Sequence, residues 1–141
     1  MKKSLLYAFI ASSLLFGVAG NCKKGSGGGG GGGGGEAPLA VTLNPPDGSV
    51  QPAAPQTDFP LAVTITSTLP AQGVTIDVNA KKDGSPDPAF FTVTQNTSNS
   101  GSNFTITNTP TGVVCITTVT VTSRSTPSNK WTGSYRYSRK P

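Results

Sequence analysis

The sequence predicts an all-β fold, a single antiparallel β-sandwich of about seven strands. Three observations carry that prediction. From residue 39 onward, apolar residues recur at every second position in short runs, the period of a strand with one buried face. Clusters of Pro, Gly, Asn, Asp and Ser separate the runs at the spacing expected of a sandwich. Thr and Val fill the runs, and their β-branched side chains suit a pleated surface. No stretch of this part of the chain shows the 3.6-residue period of a helix.

Leu39 to Leu43 reads as the first strand. A Pro-rich connection follows, from Asn44-Pro45-Pro46-Asp47-Gly48 on to Pro55. Leu61, Val63 and Ile65 alternate with Ala62, Thr64 and Thr66 in the second strand. The turn Leu69-Pro70-Ala71-Gln72-Gly73 leads into the clearest alternation of the chain, with Val74, Ile76, Val78 and Ala80 set against Thr75, Asp77, Asn79 and Lys81. Lys82 to Pro88 has every mark of a turn. Phe90 to Gln95 is the fourth strand and Asn96 to Gly101 a polar loop. Because Phe90 and Phe91 are adjacent, they face opposite sides of any strand they share. Phe104 to Ile106 is a short fifth strand. Val113 to Ser123 is a long sixth one, with Val113, Cys115, Val119 and Val121 on one side. Trp131, Gly133, Tyr135 and Tyr137 alternate with Thr132, Ser134, Arg136 and Ser138 in the last.

The first residues have a different character. Lys2 and Lys3 precede an apolar stretch from Leu5 to Val18. At about fourteen residues it falls short of the ~20 that span a bilayer and has the length of a signal-peptide core. Ala19 and Gly20 follow, and then Cys22. This segment resembles a bacterial lipoprotein signal peptide, and the start Cys22-Lys23-Lys24-Gly25 resembles lipoproteins of Bacteroidota. The resemblance implies cleavage before Cys22, lipidation of its sulfur, and an outer-membrane-anchored lipoprotein of the cell envelope. Asn21 departs from the small residue usual at that place. Cleavage after Gly20 is the other reading, and it gives a secreted soluble protein.

Residues 1–21 are thus expected to leave as a signal peptide, and residues 22–38 to form a lipidated Cys and linker. Nine consecutive glycines, Gly27 to Gly35, dominate that linker. Glycine has the most backbone freedom to lose, so such a run is expected to behave as a flexible tether. A phosphate-cradling loop would need a strand before it, a helix after it and a Lys-Ser/Thr pair, and none is present.

Residues 39–141 form the domain. Its length, strand count and turn placement resemble immunoglobulin-like and fibronectin type III-like sandwiches. Two hallmarks of antibody domains are missing: an inter-sheet disulfide pair, and a Trp on the third strand.

Charged residues are 12 % of the chain, about half the usual share. Without Lys2 and Lys3, nine basic residues face six acidic ones. That balance excludes a dense phosphate-binding surface, so no nucleic-acid partner is expected. The chain has no histidine, which removes the usual general base and the commonest metal ligand. Its acidic residues fall mostly in turns, where Asp bonds to nearby backbone. Asp83 and Asp87 flank Gly-Ser-Pro, too few oxygens for a calcium loop. No enzyme, metal or cofactor is expected.

One cluster stands out. Trp131, Tyr135 and Tyr137 share a strand face. Turned outward, they would make a ligand-contacting strip that stacks on sugar rings. Turned inward, they are core residues. Thr132, Ser134, Arg136 and Ser138 opposite make a face that solvent prefers, which favours the inward arrangement. Anchor, tether and sandwich together suggest a displayed, non-catalytic module for binding or adhesion to a glycan or an envelope protein. A structural or assembly component without a small ligand is the competing expectation.

Overall fold

The computed structural model describes residues 35–141. The expected signal peptide (1–21), Cys22 and the glycine run up to residue 34 lie outside the described residues. Seven strands account for the regular structure: β1 (Val41–Asn44), β2 (Phe59–Ile65), β3 (Val74–Lys82), β4 (Phe91–Thr97), β5 (Gly101–Ile106), β6 (Val114–Ser123) and β7 (Lys130–Ser138). They build two antiparallel sheets, β1-β2-β5 and β4-β3-β6-β7, which pack face to face as a β-sandwich. The chain crosses between sheets after β2, after β4 and after β5. The fourth strand pairs with the third rather than the fifth, whereas in the antibody constant domain the fourth strand lies beside the fifth.

Alternation explains the core. Leu43, Phe59, Leu61, Val63, Ile65, Phe104 and Ile106 point inward from the three-stranded sheet. Val74, Ile76, Val78, Ala80, Cys115, Val119, Val121, Tyr135 and Tyr137 meet them from the other. Thr117 and Ser123 also face inward on β6 and are fully covered. Among the described residues the core cluster runs from Leu39 to Tyr137, so residues 35–141 carry a hydrophobic interior of their own.

Several boundaries differ from the expectation, each for a physical reason. The polar loop expected over Asn96 to Gly101 shrinks to residues 98–100. Asn96 stays in β4 because its side chain accepts a 2.7 Å hydrogen bond from Thr75 on β3. Ser102 and Asn103 join β5 by pairing with Val63 and Ala62. Val113 precedes β6 and is 36 % exposed instead of lining the inner face with Cys115. Phe90 and Phe91 are both half-buried against the core.

The Pro-rich connection is not a free loop. Residues 48–54 run parallel to β7 along its outer edge. Gly48 and Gln51 donate backbone hydrogen bonds to Ser134 and Arg136 (2.7 and 2.8 Å), Ala54 donates to Ser138 (3.1 Å), and Arg136 donates back to Ser49 (2.9 Å). This strap satisfies backbone groups that an edge strand would otherwise leave open. The backbone at the end of the described residues is held as well. Lys140 N–H bonds to Ala54 O at 2.8 Å, and Arg136 pairs with Asp83 at 2.7 Å.

The chain is already held at Glu36, three residues before the expected domain boundary. The Glu36 carboxylate accepts hydrogen bonds from Ser123 Oγ (2.9 Å) and Asn129 Nδ2 (2.6 Å), and Leu39 N–H bonds to Asn129 Oδ1 at 3.0 Å. This latch fixes the incoming chain at the turn between β6 and β7.

Candidate functional site

The strand face carrying Trp131, Tyr135 and Tyr137 is the inner one. Tyr135 and Tyr137 are 2 % and 1 % exposed, so they form no outward strip. The energetic reason is area: an aromatic ring gains far more from the core than Thr or Ser would. The structure also separates the three residues. Trp131 is half-buried near the start of β7, its indole lying across Gly133. Tyr135 and Tyr137 lie further along, beside Phe59. Ring centroids are 4.6 Å apart for Phe59 and Tyr137, and 5.8 Å for Tyr135 and Tyr137.

These three rings floor a slot of about 210 Å³. Phe59 opens β2 and the tyrosines belong to β7, so the floor spans both sheets. The strap and its continuation supply the rest: Pro45, Pro52, Ala54 and Pro60 as walls, Gln51 and Gln56 as the only amide side chains. Proline is suited to such a wall because its fixed φ holds an apolar ring without rotamer entropy to lose. Pro45 and Pro60 also border a second depression, of about 290 Å³, that runs over Ala62 and Asn103.

Among the described residues no charged side chain lines the slot. Its polar side chains are two amides, each able to donate and accept, whereas the phenol hydroxyls are buried. The Tyr137 hydroxyl pairs with Thr109 Oγ1 at 3.2 Å. The Tyr135 hydroxyl is buried without a hydrogen-bond partner, as is its neighbour Thr117 Oγ1. Burial pushes the Tyr135 phenol up to about 12, with Thr117 acting weakly the other way. Burial also raises Tyr137. Both phenols are therefore neutral donors at physiological pH. The slot is smaller than the ~300 Å³ from which drug-sized ligand pockets begin, and its size suits one ring or one side chain.

The slot sits at the opposite end of the sandwich from the latch. β1 runs from the latch at Leu39 to the slot at Pro45, and β7 runs from Asn129 to Tyr137 in the same sense.

Elsewhere the acidic residues serve the fold. The Asp47 carboxylate accepts a 2.6 Å hydrogen bond from Ser134 N–H and pins the strap. Asp83 meets Arg136, and Asp87 meets Lys82 at 3.2 Å, a contact that holds the Asp87 carboxyl below its ordinary range. The two carboxylates of the 83–87 turn are thus each taken up by a cation of the chain. Among the described residues no three His, Cys, Asp or Glu side chains gather as a metal site.

Sequence reasoning singled out Tyr135 and Tyr137, but it missed Phe59, Gln51, Gln56 and the prolines. The one available signal was the density of Pro between residues 45 and 60, which marks a rigid segment without showing what it packs against. No known protein family, curated protein or solved structure matches the chain.

Proposed function

We propose that the chain is an envelope lipoprotein, lipidated at Cys22, that displays a non-catalytic sandwich for binding a neutral glycan through the slot. The observation that carries the ligand class is the slot's lining. It has an aromatic floor, proline walls and two amide side chains, with no charged side chain among the described residues to attract an ionic ligand. A pyranose ring offers the matching chemistry: apolar C–H faces for the proline walls, hydroxyls for Gln51 and Gln56. The order of parts along the chain supports display. A signal-peptide-like start, a glycine-rich tether and the latch precede a body whose slot lies at the far end. Two or more acyl chains on one sulfur-bearing residue would anchor such a body stably.

Two measurements test the halves separately. The mass of the N-terminal peptide of protein taken from cells reads lipidation; a free thiol at Cys22 would sink the anchor. Retention on a neutral-glycan array reads the ligand. The double variant Gln51→Ala/Gln56→Ala is expected to weaken retention at least about tenfold, which corresponds to roughly 1.4 kcal/mol. Binding unchanged in that variant, or no glycan bound at all, would remove the slot as a glycan site.

A further inference from the structure

The four-stranded sheet treats its two edges differently. The strap covers the outer edge of β7. The outer edge of β4 has no backbone partner among the described residues. An open row of peptide groups is a template for another strand, and chains commonly guard it with charge, proline or brevity. β4 uses none of these. It is seven residues long, against four for β1 and six for β5 at the edges of the other sheet. It reads Phe-Thr-Val-Thr-Gln-Asn-Thr and lies in a stretch, residues 89–123, without a single charged side chain.

We propose that two copies of this chain pair along these edges, β4 against β4, antiparallel about Thr94. The register follows from self-complementarity. Centred on Thr94, the two-fold sets Thr92 opposite Asn96, Val93 opposite Gln95 and Phe91 opposite Thr97 of the other copy. Thr92 and Asn96 already make this kind of pair within one chain. Across β3 and β4, Thr75 donates to Asn96 at 2.7 Å and Asn79 donates to Thr92 at 3.3 Å. The dimer repeats that Thr–Asn ladder one strand further out. On the inner side, the half-exposed Phe91 and Val93 gain cover from Thr97 and Gln95. No like charges stand directly opposite each other. The nearest carboxylate, Asp77, lies one strand back on β3 in each copy and accepts a hydrogen bond from Thr94, and beyond Phe91 Lys82 and Asp87 are paired with each other. The interface is isologous, so it closes at two copies and makes one eight-stranded sheet.

Sedimentation of the chain from Gly33 onward, which contains the whole core, tests this. The native sequence is expected to run as a dimer that dissociates on dilution. Thr92→Lys/Asn96→Lys places like charges opposite each other at both ends of the register and is expected to give monomers. Thr92→Lys/Asn96→Asp sets opposite charges there and is expected to restore the dimer. It shares one substitution with the disrupted variant and so controls for folding. A native monomer at every concentration would overturn the proposal. So would a dimer indifferent to the two lysines, as pairing through β5 would give, or a failure of the Lys/Asp variant to reassociate.

Discussion

Tyr137 and Thr109 share a buried hydroxyl–hydroxyl contact of 3.2 Å, whereas Tyr135, two residues earlier on the same strand, has no partner for its hydroxyl. The same substitution should therefore have opposite consequences at the two sites. Tyr137→Phe strands the Thr109 hydroxyl, which is 2 % exposed, and is expected to cost about 1–2 kcal/mol. Tyr135→Phe removes a buried orphan and is expected to be neutral or mildly stabilising. Urea unfolding followed by the fluorescence of Trp131, the chain's one tryptophan, compares them. Equal losses at both positions would refute the distinction.

The buried phenols also fix the alkaline limit of the fold. An unfolded tyrosine ionises near pH 10, while burial holds Tyr135 up to about 12. The preference for the neutral phenol is therefore fully present below pH 10 and is lost as pH rises from 10 toward 12. The loss is on the order of 2 kcal/mol for this residue. Tyr137 shifts in the same direction. The urea midpoint is expected to hold steady from pH 7 to 9 and then fall. The fall should be shallower in Tyr135→Phe; identical slopes would show that this phenol is not responsible.

Gly133 is the point on β7 where only hydrogen fits. A Cβ there would run into the ring of Trp131 and come within 2.8 Å of Asp47 Oδ1. Gly133→Ala is expected to destabilise by about 1–3 kcal/mol and to shift Trp131 emission to the red as the indole is displaced. An unshifted spectrum with unchanged stability would mean the ring moves aside freely.

Cys115 is fully covered between the sheets, and burial raises its thiol above the ordinary range. The reactive species of a thiol is its anion, so both access and ionisation oppose modification. Aromatic disulfide reagents are expected to leave Cys115 untouched at neutral pH and to label it at the rate of unfolding. Rapid labelling of native protein would contradict the packing around β6.

The sandwich was legible because its physics is local. Val74, Ile76, Val78 and Ala80 declare a buried face by alternation alone, and Gly73, Gly84 and Gly112 mark turns that use positive φ. Strand ends were less legible. Asn96 and Ser102 have low intrinsic preference for strands and stay in β4 and β5 because of partners on β3 and β2. The slot was legible only in part. Tyr135 and Tyr137 announce a face but not what roofs it, and the roof comes from a segment that pairs far along the chain. The latch was hidden for the same reason: Glu36 and Asn129 look like ordinary linker and turn residues until the fold brings them together.

The strap on β7 also bears on timing. Its anchor, Asp47 to Ser134, joins residues 87 apart in sequence, and the Glu36 latch spans a similar distance. Contacts this distant slow folding, because the intervening loop must close before they form. The latch cannot form before Asn129 has arrived, nor the strap's anchor before Ser134. A chain threaded through a membrane from its N-terminus would thus remain pliable for most of the passage. It would lock into shape only once β7 had begun to emerge on the far side.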